Sequence, residues 1–249
     1  MKNYLIPDIV KNNQFLPPHE INNKSSKFRA TDTEELFLKN LNTQPYDWYY
    51  RTAPVNYTLN QHGFRTKEFD EIDWANSVVI FGCSQVFGIG VDDQHTISSQ
   101  LRDLTGVPVI NMGVAGSSIT YALHNATILR DRYPKPRSVV NVWTEYSRTV
   151  YYHEDWCQTL AVWNADKNDY FKAWISKDSH SQTHAIFASK ISKLLWENTK
   201  YIEAAFFKDT AELLNCPHIK GKLDARDGIH YGISSQRDMA LFLAEQLQL

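Results

Sequence analysis

Ser77–Val91, SVVIFGCSQVFGIGV, opens on a continuous apolar run, Val78-Val79-Ile80-Phe81, rich in β-branched residues. A run without polar alternation predicts a strand buried on both faces, as in a parallel sheet covered by helices. Gly82 ends the run and lets the chain turn sharply off the strand. Ser84 then stands just past the turn, at the carboxyl edge of the sheet, where open α/β folds place their ligands. A hydroxyl thrust out there is a candidate nucleophile if the chain also supplies a base, a carboxylate to orient it, and donors for an oxyanion. The bland alternative is that Ser84 only caps the helix that follows.

Downstream, Ile97, Leu101 and Leu104 recur at helical spacing. They predict a helix that begins near Asp92-Asp93 or Thr96 and ends at Gly106. Val107–Met112 reads as a second strand. The loop Asn111–Ser118 carries Gly113 and Gly116, and Ser117 or Ser118 is placed to cap a helix reaching about Asp131, before Pro134 and Pro136. Ser138–Trp143 reads as a third strand, so the order is β-α-β-α-β with short loops, the signature of a parallel sheet with helices packed on it. From Tyr151 to Ser181 the periodicity is lost among aromatic residues, which suggests a lid, a binding loop or a contact surface. Ala185–Trp196 returns to helical spacing. Tyr201–Phe207 is a fourth strand or a continuing helix. Ser234 or Ser235 opens a last helix with Met239, Phe242, Leu243 and Leu247 on its buried face. The expected fold is α/β: three layers, α/β/α, with a mainly parallel, flavodoxin-like sheet over residues 60–249, an aromatic-rich insertion at about 151–181, and an N-terminal extension over residues 1–59.

Within that extension, Met1 to about Lys27 reads as a loosely packed arm, and Pro17-Pro18 forbids a helix. Thr31-Asp32-Thr33-Glu34-Glu35 before Leu36-Phe37-Leu38 predicts a short capped helix. Gln44–Asn60, with Tyr46, Trp48, Tyr49, Tyr50 and Tyr57, predicts an extended cover over the main domain. Gly63 marks a turn, and Arg65 beside it is set to anchor that turn or pair with a carboxylate.

Composition limits the function. The 249 residues are 43% hydrophobic and 22% charged, with a formal net charge of −2. That balance predicts an ordinary globular protein with no electrostatic pull toward nucleic acid or anionic membrane. Three widely spaced cysteines, Cys83, Cys157 and Cys216, make neither a zinc pattern nor a disulfide framework. No apolar run reaches spanning length, and the N-terminus lacks a signal-peptide design. A cytoplasmic or virion-associated location is expected, with no nucleic acid, membrane or metal partner. Seven Trp, thirteen Tyr and twelve Phe suit a packed core or an assembly surface, so a homo-oligomer or assembly partner is open. Gly88-Ile89-Gly90 lacks the third glycine of a dinucleotide loop, and His180 and His184 have no glutamate between them to make a metal helix.

The base is offered just before the last helix, by Asp227-Gly228-Ile229-His230. An Asp and a His three residues apart on a loop can both enter one cleft, the carboxylate fixing the imidazole tautomer and stabilising its charged form. The order along the chain is Ser84, Asp227, His230. A surface hydrogen-bonded pair is the bland reading of the last two.

With these blocks in place, residues Asn60 to the C-terminus resemble the SGNH (GDSL-like) hydrolases. Gly82-Cys83-Ser84 is similar to that family's Gly-Asp-Ser block. Asn111–Ser118 is similar to its second block, and Asp227-x-x-His230 to its last; the lead-in Asn60-x-x-Gly63-Phe64-Arg65 looks like that of some members. The resemblance implies a serine esterase without a cofactor. It removes an acetyl or other short acyl group from a carbohydrate or small-molecule ester, with Ser84, His230 and Asp227 catalytic and the main-chain N–H groups of Ser84 and Gly116 as oxyanion donors. Two positions depart from the pattern. Cys83 replaces the usual Asp. In the third block Glu145 falls near the expected Asn, where a carboxylate would oppose an oxyanion, leaving Thr144, Arg148 or the Asn125 side chain as replacements. Acyl transfer to a sugar would use the same residues. The competing reading is a hydrolase-like scaffold with a structural or binding role in a larger assembly, for example a virus particle.

Overall fold

The computed structural model describes residues 7–16, 25–153 and 156–249. Pro17-Pro18 lies outside them. The N-terminal part forms α1 (Asp8–Lys11) and α2 (Glu34–Thr43), the second capped by Thr33, whose hydroxyl accepts the Leu36 N–H at 3.1 Å. Then come β1 (Val78–Gly82), α3 (Ser84–Phe87), α4 (Ile97–Thr105), β2 (Val109–Gly113), α5 (Ile119–Arg132) and β3 (Ser138–Trp143). A hairpin follows, β4 (Thr149–Tyr152) and β5 (Cys157–Leu160), then α6 (Asp169–Ile175), α7 (Asp178–Leu195), β6 (Lys200–Ala205), α8 (Lys208–Leu214) and α9 (Ile233–Leu247).

The central sheet has the order β2-β1-β3-β6 with every pairing parallel, as the apolar run at Val78–Phe81 predicts. Alternate side chains of β1 serve opposite layers. Val79 and Phe81 join Ile128 and Leu129 of α5 and Ala185 and Ala188 of α7 in one core. Val78 and Ile80 join Ile97 and Leu101 of α4 and Met239 and Leu243 of α9 in the other. The expected three layers and mainly parallel sheet are therefore present.

The N-terminal stretch is woven into these layers. Ile9, Phe15 and Leu16 are buried with Phe64, Phe69 and Trp74. Tyr50, Val55, Tyr57 and Leu59 form a third cluster with Phe87 and Ile89, next to the β1–α3 turn. The cover expected over Gln44–Asn60 is thus a packed one.

Three local expectations are corrected. Among the described residues, 151–181 hold the second half of β4, all of β5 and α6, and the first turn of α7, with Phe171 fully buried. Strands of four residues and a seven-residue helix are too short to show a period against mixed polar neighbours. Ser118 does occupy the N-cap of α5, but its side chain makes no capping bond. At α9 the N-cap is Gly232, and the Ser235 hydroxyl instead accepts the Lys222 N–H at 2.8 Å.

Candidate active site

Ser84 is the first residue of α3, directly after an extended Cys83 whose side chain is buried in the core between the sheet and α4/α9. The β2–α5 loop is drawn tightly against this turn. The Gly82 carbonyl accepts from the Val114 N–H at 3.0 Å and from Ser117 Oγ at 3.3 Å. Asn111 Nδ2 donates to the Val86 carbonyl at 2.9 Å while its Oδ1 accepts the Gly113 N–H at 2.9 Å. A Cβ on Gly113 would fall 2.4 Å from the Phe87 nitrogen, so glycine is what permits this approach. From the other side, Arg65 donates to the carbonyls of Gly88 at 2.7 Å and Val91 at 3.0 Å, with Nε 3.1 Å from Asp93 Oδ1. The carboxylate pairing expected of it is present, but it anchors the segment after α3 rather than the Gly63 turn, which Asn60 holds by accepting the Gly63 N–H at its carbonyl and the His62 and Phe64 N–H groups at Oδ1.

His230 comes to the same place. Its Nε2 lies 2.8 Å from Ser84 Oγ and its Nδ1 lies 2.7 Å from Asp227 Oδ2. Asp227 Oδ1 accepts the Ile229 and His230 N–H groups, each at 3.1 Å. Burial pushes the Asp227 carboxyl upward, but the hydrogen bond and charge of His230, the Ile229 N–H and the Thr31 hydroxyl outweigh it and hold the group below the usual carboxylate range. An ionised Asp227 accepts Nδ1–H, which leaves Nε2 as the acceptor that faces the serine.

The loop bearing these two residues is seated by contacts the sequence reading did not contain. The Arg226 N–H donates to the Gly90 carbonyl at 2.9 Å, and a Cβ on Gly90 would meet Ala225 Cβ at 2.8 Å; Gly90 also has φ +76°. Gly90 thus serves the close packing of this loop on the 225–226 backbone. The Arg226 side chain pairs with the fully buried Asp32 at 2.6 Å and stacks over Phe28 and Phe37. Asn40 Nδ2 reaches the Arg226 carbonyl at 2.9 Å. Thr31 Oγ1 donates to Asp227 Oδ2 at 2.8 Å. Gln236 Nε2 donates to the Gln85 carbonyl at 3.0 Å and Gln85 Oε1 accepts the Tyr231 N–H at 2.9 Å, tying α9, α3 and the loop together. No local motif could reveal Thr31, Asp32 or Asn40, because their partners stand nearly two hundred residues away in sequence.

The remaining candidates divide. Gly116, at φ +69°, lies in the loop held to Gly82. Thr144 stands two residues past Val142 as Ser84 stands two past Gly82, the registered pair of β3 and β1. Its side chain is buried, and Oγ1 has no protein partner among the described residues. Glu145 Oε2 is 3.4 Å from Arg148 Nε, and the Arg148 guanidinium lies over the Trp163 and Phe207 rings at 5.0 and 5.6 Å. Its negative charge is thereby opposed by a cation. Asn125 is corrected: its side chain accepts the Leu16 N–H at 2.8 Å and donates to the Leu16 carbonyl at 2.6 Å, so it is committed to the N-terminal segment. His184 Nε2 lies 3.2 Å from Thr120 Oγ1, and His180 is exposed. Among the described residues no cluster of His, Cys, Asp or Glu is arranged to hold a metal, and no helix is long and apolar enough to cross a membrane.

No protein-family model and no curated protein matches the chain. Among solved structures it is similar to TesA, over 69% of this chain and 98% of that one, at 12% identity and a TM-score of 0.45. It is similar to the psychrotrophic esterase EstA from Pseudoalteromonas sp., over 70% and 97%, at 16% identity and a TM-score of 0.42. AlinE4, an SGNH-hydrolase family esterase, matches over 72% and 75%, at 14% identity and a TM-score of 0.35.

Proposed function

We propose that this chain is a serine ester hydrolase acting on an acetyl or other short acyl group of a carbohydrate or small-molecule ester. One observation carries the reading: Ser84 Oγ, His230 and Asp227 are joined in series at 2.8 and 2.7 Å. Ser84 Oγ bonds to the ester carbonyl carbon as its proton passes to His230 Nε2, and Asp227 stabilises the imidazolium. The negative charge on the carbonyl oxygen is received by the main-chain N–H groups of Ser84 and Gly116 and by the unpartnered Thr144 hydroxyl. As the C–O bond of the ester breaks, His230 returns the proton to the departing alcohol. A water, deprotonated by the same imidazole, then bonds to the acyl carbon; as the carbon–Oγ bond breaks, His230 returns that proton to Ser84 Oγ and the carboxylic acid leaves. The short acyl group and the carbohydrate or small-molecule alcohol follow from the resemblance of the sequence blocks.

The test is turnover of a chromogenic acetyl ester together with fluorophosphonate labelling. The unaltered protein is expected to turn over and to label at Ser84, and Ser84→Ala to do neither. Equal background rates in both proteins with no label would favour the scaffold reading.

A further inference from the structure

We infer that Thr31 is a positioning residue of the Ser84–His230–Asp227 series, its hydroxyl fixing the carboxylate oxygen on which His230 depends. The inference rests on the ester-hydrolase reading and adds to it a residue from the N-terminal segment, outside the α/β/α layers. Asp227 Oδ2 takes both the His230 Nδ1 bond at 2.7 Å and the Thr31 hydroxyl at 2.8 Å, and Thr31 Oγ1 is 3.5 Å from Nδ1 itself. With Oδ1 occupied by two main-chain N–H groups, four donors hold two oxygens, and the carboxylate cannot turn.

The segment that presents Thr31 is itself built for this. Arg29 and Asp32 exchange main-chain hydrogen bonds at 2.9 and 3.0 Å, closing a tight turn with Thr31 inside it. Asp32 then grips Arg226, the residue before Asp227. Consecutive residues of one turn therefore hold consecutive residues of the catalytic loop. Thr31 is solvent-exposed. Its contribution is the hydroxyl, since burial of so exposed a side chain adds little.

Removing the hydroxyl has two consequences. Oδ2 keeps one fewer donor, so more of its charge is left to be answered by His230, and the protonated imidazole is favoured. The carboxylate also gains freedom to rotate, which disfavours the transition state without touching the substrate. Among the described residues, the charged or titratable groups about this loop include Asp32, Arg226, Asp224, the Tyr57 phenol that donates to Asp32, and the Tyr50 phenol, whose ionisation burial pushes far up. All are retained in a Thr31 variant, so a shift reports the hydroxyl.

The experiment compares Thr31→Val and Thr31→Ser with the unaltered protein on a chromogenic acetyl ester across pH, with thermal melting as control. Valine is expected to lower kcat about three- to tenfold with little change in KM, and to move the acid limb to higher pH. Serine restores both. The His230 imidazole titration, followed by NMR, is expected to move the same way without any turnover. Unaltered kcat and an unmoved titration in the valine variant overturn the inference, as does a loss that tracks a lower melting temperature with the titration unmoved. An inactive, unlabelled parent protein overturns the esterase reading instead, and the NMR comparison still decides Thr31.

Discussion

At the residue scale the site turns on one buried carboxylate that stays charged. Asp227 is held below the usual carboxylate range despite its burial, because His230, the Ile229 N–H and Thr31 all favour the anion. Its folded-state pKa is thus depressed relative to the unfolded chain. The stability it contributes is present above the ordinary carboxylate value of about 4 and is lost as pH falls below that, through the folded pKa. Thermal melting between pH 6 and pH 3, taken as about the range that brackets this loss, is expected to fall more steeply for the unaltered protein than for Asp227→Asn. Parallel curves would refute the assignment. On activity, Asp227→Asn is expected to lower kcat by about three to four orders of magnitude with the fold retained, because the wrong imidazole tautomer is then favoured. Thr144→Val is expected to cost kcat about a hundred- to a thousandfold and leave KM nearly unchanged, as loss of an oxyanion donor would. That Ser84, Asp227 and His230 would meet was legible because Ser84 follows a glycine at the end of an apolar run, Asp227 and His230 stand three residues apart in one loop, and both blocks resemble those of a known family. Glu145 was legible as a departure, but its pairing with Arg148 was not, since a three-residue spacing outside a helix does not fix contact.

At the scale of elements, the long periodic or unbroken segments are the ones that sequence places well. Ile97–Thr105 and Ser138–Trp143 form as their patterns predict, because burial of one face or both faces leaves a period in the residues. The hairpin at Thr149–Leu160 and α6 leave none, being short and half wet, and their aromatic residues obscure the pattern further. The loop before α9 is held by tertiary contacts that no period encodes. Its central one is the Arg226–Asp32 pair, with side chains only 5% and 0% exposed. Breaking such a pair leaves a buried charge without its partner, which costs about 3–5 kcal/mol, whereas replacing both charges by apolar groups is often close to neutral. Arg226→Met alone is therefore expected to depress the melting temperature strongly and to abolish activity with it. Adding Asp32→Leu should recover much of the stability. A double variant no more stable than the single one would show that the pair is not the element's main tether.

For the whole molecule, the question is whether residues 60–249 stand without the stretch that precedes them. A domain boundary falls where few contacts cross the chain, and here hydrophobic clusters cross residue 59. Tyr50, Val55, Tyr57 and Leu59 are buried against Phe87 and Ile89, at and just past the end of the short helix that Ser84 opens. Ile9, Phe15 and Leu16 are buried against Phe64, Phe69 and Trp74. A fully buried side chain of this size contributes about 1.5–3 kcal/mol, and net stability is only about 5–15 kcal/mol. Removing the cover exposes Phe64, Phe69, Phe87 and Ile89 to water and also strands Arg226 without Asp32. Composition hid this, because asparagine, proline and lysine between scattered apolar residues read the same in an arm as in a packed strap. Residues 60–249 produced alone are accordingly expected to melt without a cooperative transition, to bind a hydrophobic dye, and to take up no fluorophosphonate at Ser84. Supplying residues 1–59 as a separate chain should restore part of the transition if the cover is the missing piece. A sharp melt and normal Ser84 labelling from the shortened chain would show instead that the α/β/α layers and their triad are self-sufficient, and that the strap only decorates them.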